Sequence, residues 1–328
     1  MTNIDYAVII RTIGKAGIKY QALLTSISKL QPQPKEVIVV LPHGYNPPEE
    51  TLGYEKIVYS NKGMVSQRVC GIRHTTCKYA LICDDDVTFE CDFVKKLYKP
   101  LYDNKCKISS GPLLSFLPER GAKTFIGALM AASGPTFFHK NRYVSIMRST
   151  GFTFNRNINV INNTLYQSQS LPGTCFFADV DALLKLRFDD ECWIDSNGYS
   201  AYEDQVMFYK AWLNNYNPLI VSDAIYEHLD ARTSVQNNKP EVTFSTTLNR
   251  RLFWHRFIYS QEKNHILKLW SIICFTYRNA WLYMWSFIGF LRKRNSLKEL
   301  QIINNANKQY KEYIKSDAYQ SLPSILVK

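Results

Sequence analysis

The sequence lacks any paired cysteine motif. Its eight cysteines, at positions 70, 77, 83, 91, 106, 175, 192 and 274, form no CxxC and no compact framework. That argues against a disulfide scaffold and against structural zinc, and predicts scattered free thiols in a reducing, cytoplasmic compartment. The opening "MTNIDYAVII" has neither a basic region nor a long apolar stretch before a cleavage site, so no secretory leader is expected. Acidic residues are scarce in one part of the chain only. Residues 232–328 hold 5 Asp/Glu against 16 Lys/Arg, a net of +11, whereas residues 1–231 hold 23 against 24. Almost all of the +12 formal charge is therefore in the last third. Such a region attracts nucleic acid, anionic lipid or phosphorylated molecules. No nucleic-acid module is readable, and an acidic cleft would repel a phosphate backbone, so nucleic acid is not an expected partner.

What is present is enough for a full core: 328 residues, 46% of them apolar. The charge asymmetry divides the chain into residues 1–231 and a basic, aromatic-rich helical region, 232–328. "YAVIIRT" (6–12) and "EVIVVLP" (36–42) read as buried strands, with "IKYQALLTSISKL" (18–30) a helix between them. Strand, helix, strand with short links predicts an α/β fold with a mostly parallel central sheet flanked by helices. "EKIVYSN" (55–61) reads as a third strand, and "GMVSQRVCGIRHTTC" (63–77) as a helix leading into "YALICDDD" (79–86). Asp84, Asp85 and Asp86 then stand just past the carboxyl end of a central strand, where open α/β sheets bind ligands.

Three adjacent carboxylates repel one another. A solvated turn or a helix cap would need only one of them. A hard divalent cation, Mg2+ or Mn2+, prefers carboxylate oxygens, and a diphosphate can complete its shell. Residues two apart in extended chain share a side, so Asp84 and Asp86 can face one ligand while Asp85 points elsewhere.

Residues 107–170 are the least readable, with a strand and turn in "CKISSGPLLSF", an irregular helix in "GAKTFIGALMAASGPTFF", and a polar loop or small sheet in "TGFTFNRNINVINNT". Farther on, "LPGTCFFADVDALLKL" predicts a short strand and a helix from about Asp179. "YEDQVMFYKAW" is a helix opened by Glu203 and Asp204, which could be capping or functional acids. "PLIVSDAIYEHLD" (218–230) reads as a last strand ending at Glu227 and His228.

In this order, "VIIRT", "EVIVV", "NKGMVSQRVCGI" running into "YALICDDD", "LPGTCFFADVDAL" and "YEDQVMFYKAW" resemble a family-2 glycosyltransferase of the GT-A fold, over roughly residues 4–230. The resemblance implies metal-dependent transfer of a sugar from a nucleotide-sugar donor to an acceptor hydroxyl, with inversion. Asp86 would coordinate Mn2+ or Mg2+, and Asp84 would sit near the ribose or the metal. Arg68 and Gly71 match the arginine–glycine spacing near the nucleotide. Arg11 and Thr12 match the end of the first strand, under the base. Asp204 matches the general base, with Glu203 its alternative, and His228 resembles a late histidine used as a further metal or diphosphate contact. A helix N-terminus would lower the pKa of Asp204. Family members follow the second strand with an aspartate pair that reaches the base. Here Leu41–Gly44 reads "LPHG", and Glu36, at the opposite end of the strand, cannot replace that pair.

"ILKLWSIICFTYRNAWLYMWSFIGFL" (266–291), followed by Arg292–Arg294, is long enough for a membrane span, but Lys268, Arg278 and Asn279 interrupt it. Three readings stay open: a helical hairpin packed on the catalytic domain, association of 266–294 with an anionic membrane surface, and a true span. "SLKELQIINNANKQYKEYIKSDAY" then reads as a polar amphipathic helix. A glycan or lipid-linked glycan acceptor in bacterial surface polysaccharide synthesis, worked on by an enzyme peripheral to the inner face of the cell membrane, unites these features. The competing class is a degenerate transferase-like scaffold, favoured only by "LPHG".

Overall fold

The computed structural model describes residues 3–113, 142–155, 164–230, 240–293 and 297–327. Strands β1 (Tyr6–Arg11), β2 (Glu36–Pro42), β3 (Lys56–Ser60) and β4 (Tyr79–Asp84) pair in parallel in the order β3-β2-β1-β4. Between them come helices α1 (Ile18–Ser28) and α2 (Met64–His74). Beyond β4 lie a short strand β5 (Val87–Phe89), helix α3 (Phe93–Tyr102) and strand β6 (Ile108–Ser110). Strands β7 (Val144–Ile146) and β8 (Thr153–Asn155) form a separate antiparallel pair, and β9 (Leu165–Gln167) follows. Strand β10 (Cys175–Asp179) inserts antiparallel beside β4, and helix α4 (Val180–Leu186) starts at once, its N-terminus capped by the Asp179 carboxylate on Ala182 N (3.0 Å). The eight-stranded sheet is completed as β4-β10-β6-β11-β9, with β11 at Leu219–Val221. The expected mostly parallel sheet is thus present, with antiparallel neighbours on the β10 side.

Alternation along each strand divides the core. Tyr6, Val8 and Ile10 face α1 and α3, while Ala7 and Ile9 face α2 and helix α5 (Glu203–Leu213). Helix α1 meets its layer through Tyr20, Leu23, Leu24 and Ile27, at helical spacing. Gly71 is the point where α2 lies flat on the sheet. A Cβ there would come within 2.3 Å of Ile9 Cγ2.

The single last strand expected over 218–230 is instead two. Strand β12 (Tyr226–His228) leaves the main sheet after the Ser222–Asp223 turn and pairs with β5, His228 opposite Val87. Of the middle region, 114–141 and 156–163 lie outside the described residues, and so does the expected boundary at 231/232.

Helix α6 (Pro240–Phe253) continues as a π-helical stretch, Trp254–Tyr259, and both pack into the same apolar layer as α2 and α5 through Leu248, Leu252, Phe253 and Phe257. Glu191, fully buried in the 3₁₀ segment Phe188–Asn197, ties the two regions together. It accepts from Arg256 Nε (2.8 Å) and Nη2 (2.9 Å), from Lys210 Nζ (3.1 Å) and from Trp193 Nε1 (2.8 Å). Residues 266–291 are not a hairpin. They belong to one helix, α7 (His265–Leu291), capped by Asn264. No described helix is long and apolar enough to cross a membrane. The final segment is also broken, into α8 (Leu297–Tyr313) and α9 (Asp317–Gln320), where the Ser316 side chain caps a new N-terminus. All eight cysteines are free, as expected.

Candidate active site

Parallel register places Arg11 of β1 opposite Asp84 of β4, so both side chains emerge at the carboxyl edge of the sheet. β10 runs the other way, and the Gly173–Thr174 turn before it arrives at the same edge. Asp84 N donates to Thr174 O (2.9 Å). The Arg11 guanidinium hydrogen-bonds Asp84 Oδ1 and stands 3.8 Å from Glu203 Oε2. Glu203 Oε1 accepts from Arg68 of α2, whose Nη2 donates to Gly173 O (2.9 Å) and whose guanidinium lies over the Phe176 ring (5.2 Å). The result is an alternating chain of charge, Asp84–Arg11–Glu203–Arg68, assembled from four elements. Arg11 Nη1 and Arg68 Nε have no hydrogen-bond partner among the described residues.

The three aspartates go three ways. Asp84 is on Arg11. Asp85 turns inward and accepts from Thr12 Oγ1; burial pushes its carboxyl up to about 7 against that hydrogen bond, with Asp84 and Asp86 adding to the push. Asp86 faces His228 Nε2 at 3.2 Å, and its carboxylate raises the imidazole pKa above the ordinary value, against burial. This meeting follows from β12 leaving the main sheet: Leu229 N donates to Asp86 O (2.8 Å), and the β5–β12 pairing sets the rest. Among the described residues no three of His, Cys, Asp and Glu form a metal cage. Asp86 and His228, in contact with each other, are a carboxylate and an imidazole, donor types that suit a divalent ion whose shell is completed by other oxygens.

Glu203 and Asp204, adjacent at the start of α5, differ in environment. Both oxygens of Glu203 face a guanidinium, and the side chain is buried. Asp204 is half-buried, makes no ion pair among the described residues, and accepts from Gln205 N (2.8 Å). The expectation that the helix terminus lowers its pKa is overturned. Burial raises it, and the Gln205 N–H and the nearby Arg68 and Arg11 only oppose that. Burial likewise raises Glu203, against Arg68 and Arg11, and lowers Arg68.

Several residues that shape the site were not legible as such. Gln67 Nε2 donates to both Thr12 O (3.0 Å) and Val40 O (3.1 Å), joining the ends of β1 and β2. Gly173 lies so close to α5 that a Cβ would meet Asp204 Cβ at 2.8 Å; its "LPGT" context signalled only a turn. Asp195 caps α2 by accepting from Val65 N (3.1 Å) and Ser66 N (2.9 Å), across a separation that no local pattern reveals. In the departing Leu41–Gly44 turn, His43 stacks on Tyr59 (centroids 6.0 Å apart, 17° between planes), leaving an exposed aromatic pair at the end of β2. Glu36, at the far end of that strand, accepts from Thr75 Oγ1 (2.9 Å) and takes no part.

In fold, the chain is similar to S. aureus TarS 1–349, with a TM-score of 0.53 and 15% identity over 96% of this chain and 82% of that one. It is similar also to TarS 1–349 in complex with UDP-GlcNAc (0.51, 15%, covering 94% and 80%). A third likeness is to GalNAc-T7 with UDP, GalNAc and Mn2+ (0.52, 13%, covering 84% of this chain and 56% of that one). At such identities the likeness is one of fold. No curated protein matches the sequence. Residues 50–175 match the model of glycosyl transferase family 2, a stretch that contains Arg68, Asp84–Asp86 and Gly173 but not Arg11, Asp204 or His228. The match covers less than half of the chain: over residues 50–175 the chain is similar to glycosyl transferase family 2, and the architecture around that stretch is a GT-A-like fold.

Proposed function

We propose that the protein carries out metal-dependent, inverting transfer of a sugar from a nucleotide-sugar to a hydroxyl of a glycan or lipid-linked glycan, in bacterial surface polysaccharide synthesis. The observation that carries this reading is the contrast between Glu203 and Asp204. One acid is locked between Arg68 and Arg11, and its neighbour stands unpaired at the same crevice. Asp204 is the general base that takes the acceptor proton while the acceptor oxygen attacks the anomeric carbon from the face opposite the leaving group. One base and one displacement invert the configuration; retention by two carboxylates belongs to a different arrangement. The raised pKa of Asp204 brings it closer to its task than a carboxylate at the ordinary value would be.

Arg11, Thr12, Arg68, Asp84 and Asp85 make up the donor end, Asp84 at the surface and the others as the buried framework behind it. Asp86 and His228 would hold Mn2+ or Mg2+, which when bound supplies Lewis-acid help to the departing diphosphate. Residues 1–231 form the catalytic unit, and 232–328 the appendage whose α7 lies against an anionic membrane surface, keeping the enzyme peripheral on the cytoplasmic side.

Calorimetric titration of UDP-, GDP-, dTDP- and CMP-sugars, with Mn2+ and with EDTA, tests the donor site. One nucleotide class should bind with metal only, and Asp86→Ala should abolish that binding. Binding of none at millimolar concentration would sink the reading in favour of a degenerate scaffold.

A further inference from the structure

Helix α7 spans 27 residues, about 40 Å at 1.5 Å per residue, and contains no acidic residue. One face packs inward through Ser271, Cys274, Phe275 and Arg278. The opposite face exposes Ile266, Trp270, Ile273, Tyr277, Met284 and Leu291, at spacings of three, four and seven that keep them in one stripe. On the flank of this stripe a cavity of about 200 Å³ opens between α6, α7 and α8. It is lined by Arg250, Arg251, Asn279, Tyr283, Glu299 and Asn307, among others.

Among the described residues, the cavity wall carries two arginines with donors left over, beside the Glu299 carboxylate and an unpartnered Asn307 Oδ1. Arg250 Nη2 donates to Asn279 Oδ1 (3.2 Å), but Arg250 Nε and Arg251 Nε are buried without a partner. The Arg251 guanidinium is held against the rings of Phe275 (5.8 Å) and Tyr310 (5.7 Å), so its direction is preset. Among the described residues no carboxylate lies within ion-pair distance of Arg250, Arg251 or the nearby Arg278. The one acid in the wall, Glu299, accepts from Ser286 Oγ at 3.1 Å. Burial, with Arg278 and Arg251 adding to it and Tyr202 opposing, pulls Arg250 down to about 10, which leaves it cationic at neutral pH. Unpaired buried guanidinium groups are costly, and a phosphate matches their fork geometry. The volume is below the roughly 300–1,000 Å³ of substrate and cofactor pockets, which favours a single headgroup over a nucleotide-sugar.

We infer that this cavity binds the phosphate of an anionic membrane lipid while the apolar stripe of α7 lies in the bilayer interface. The inference rests on the membrane-surface reading of α7, not on the sugar chemistry.

Co-sedimentation of the full chain with phosphatidylcholine vesicles, with and without phosphatidylglycerol, tests it. Wild type should bind the mixed vesicles about fivefold or more tightly than the neutral ones. R250K/R251K keeps the charge and loses the fork. Its binding to neutral vesicles should stay unchanged while most of the preference disappears. A preference that survives in this variant would assign it to diffuse basic charge and overturn the headgroup site. If the variant melts early, excess glycerol 1-phosphate added to wild type reads the same site, since it should displace the preference; no displacement overturns it. Protection by inorganic phosphate without any vesicle preference would assign the cavity to a soluble anion and likewise end the lipid proposal. I273S/M284S should lose both vesicle types, and retention of both would remove α7 from the membrane. Donor calorimetry on the same samples, without vesicles, reads the sugar-transfer proposal separately.

Discussion

Asp204 and Glu203 are neighbours in sequence with opposite surroundings, one acid held by two guanidinium groups and the other without an ion pair among the described residues. Asp204→Asn should leave donor binding and melting temperature unchanged and cut transfer by about 10²–10⁴-fold, since only the proton acceptor is lost. Glu203→Gln should instead lower stability by about 3–5 kcal/mol in urea titration, because Arg68 would keep a buried charge with its partner gone. If Glu203→Gln is fully stable and inactive while Asp204→Asn is active, the roles are reversed. Gly173 provides a second discriminating position. A methyl group there would press on Asp204 Cβ at 2.8 Å. Gly173→Ala should therefore depress kcat more than it lowers the melting temperature, by displacing the base.

Helix α2 carries Arg68 and Gln67 into the site, yet it has no capping side chain of its own: Gly63 precedes it, with φ of 149° and an acid packed where a Cβ would go. Asp195 supplies the cap from the 3₁₀ segment, with Ser200 Oγ donating to its Oδ1 (2.9 Å). Asp195→Ala should cost about 1–2 kcal/mol of stability by thermal melt and weaken donor binding through Arg68. Unchanged stability would mean that water satisfies the freed N–H groups. The strands β1, β2, β3 and β4 were legible because buried strands of a parallel sheet are continuous apolar runs. Strand β12 was not. Its three residues carry no period, and only pairing with β5 separates it from β11.

At the scale of the whole molecule, the Glu191–Arg256–Lys210 cluster joins the basic C-terminal region to the sheet domain. Its Arg256 partner and Lys210 hold the Glu191 carboxyl below the usual range even though burial, the largest influence, raises it. A depressed native pKa gives stability that is present above the unfolded carboxyl value, near 4.3, and is lost as pH falls through the native one. The urea midpoint should therefore fall between neutral pH and acid below about pH 4, and Glu191→Gln should flatten part of that fall while starting lower at pH 7. An unaltered pH profile in the variant would show that other carboxylates govern acid unfolding.

The sequence by itself determined the α/β class, the resemblance to glycosyl transferase family 2, the first four strands and the residue types at the carboxyl edge, because these depend on local apolar runs and on motifs that sit at strand ends. It marked Asp84, Asp85 and Asp86 as a group without showing that they separate. Only the tertiary structure decided that Asp84 meets Arg11, that Asp85 turns in to Thr12, and that Asp86 meets His228. The same holds for the contrast in surroundings between Glu203 and Asp204, which rests on Arg68, 135 residues from Glu203 in sequence. The physical reason is common to all four. A charged side chain takes its role from the partners and burial that long-range register brings to it, and no local pattern contains them.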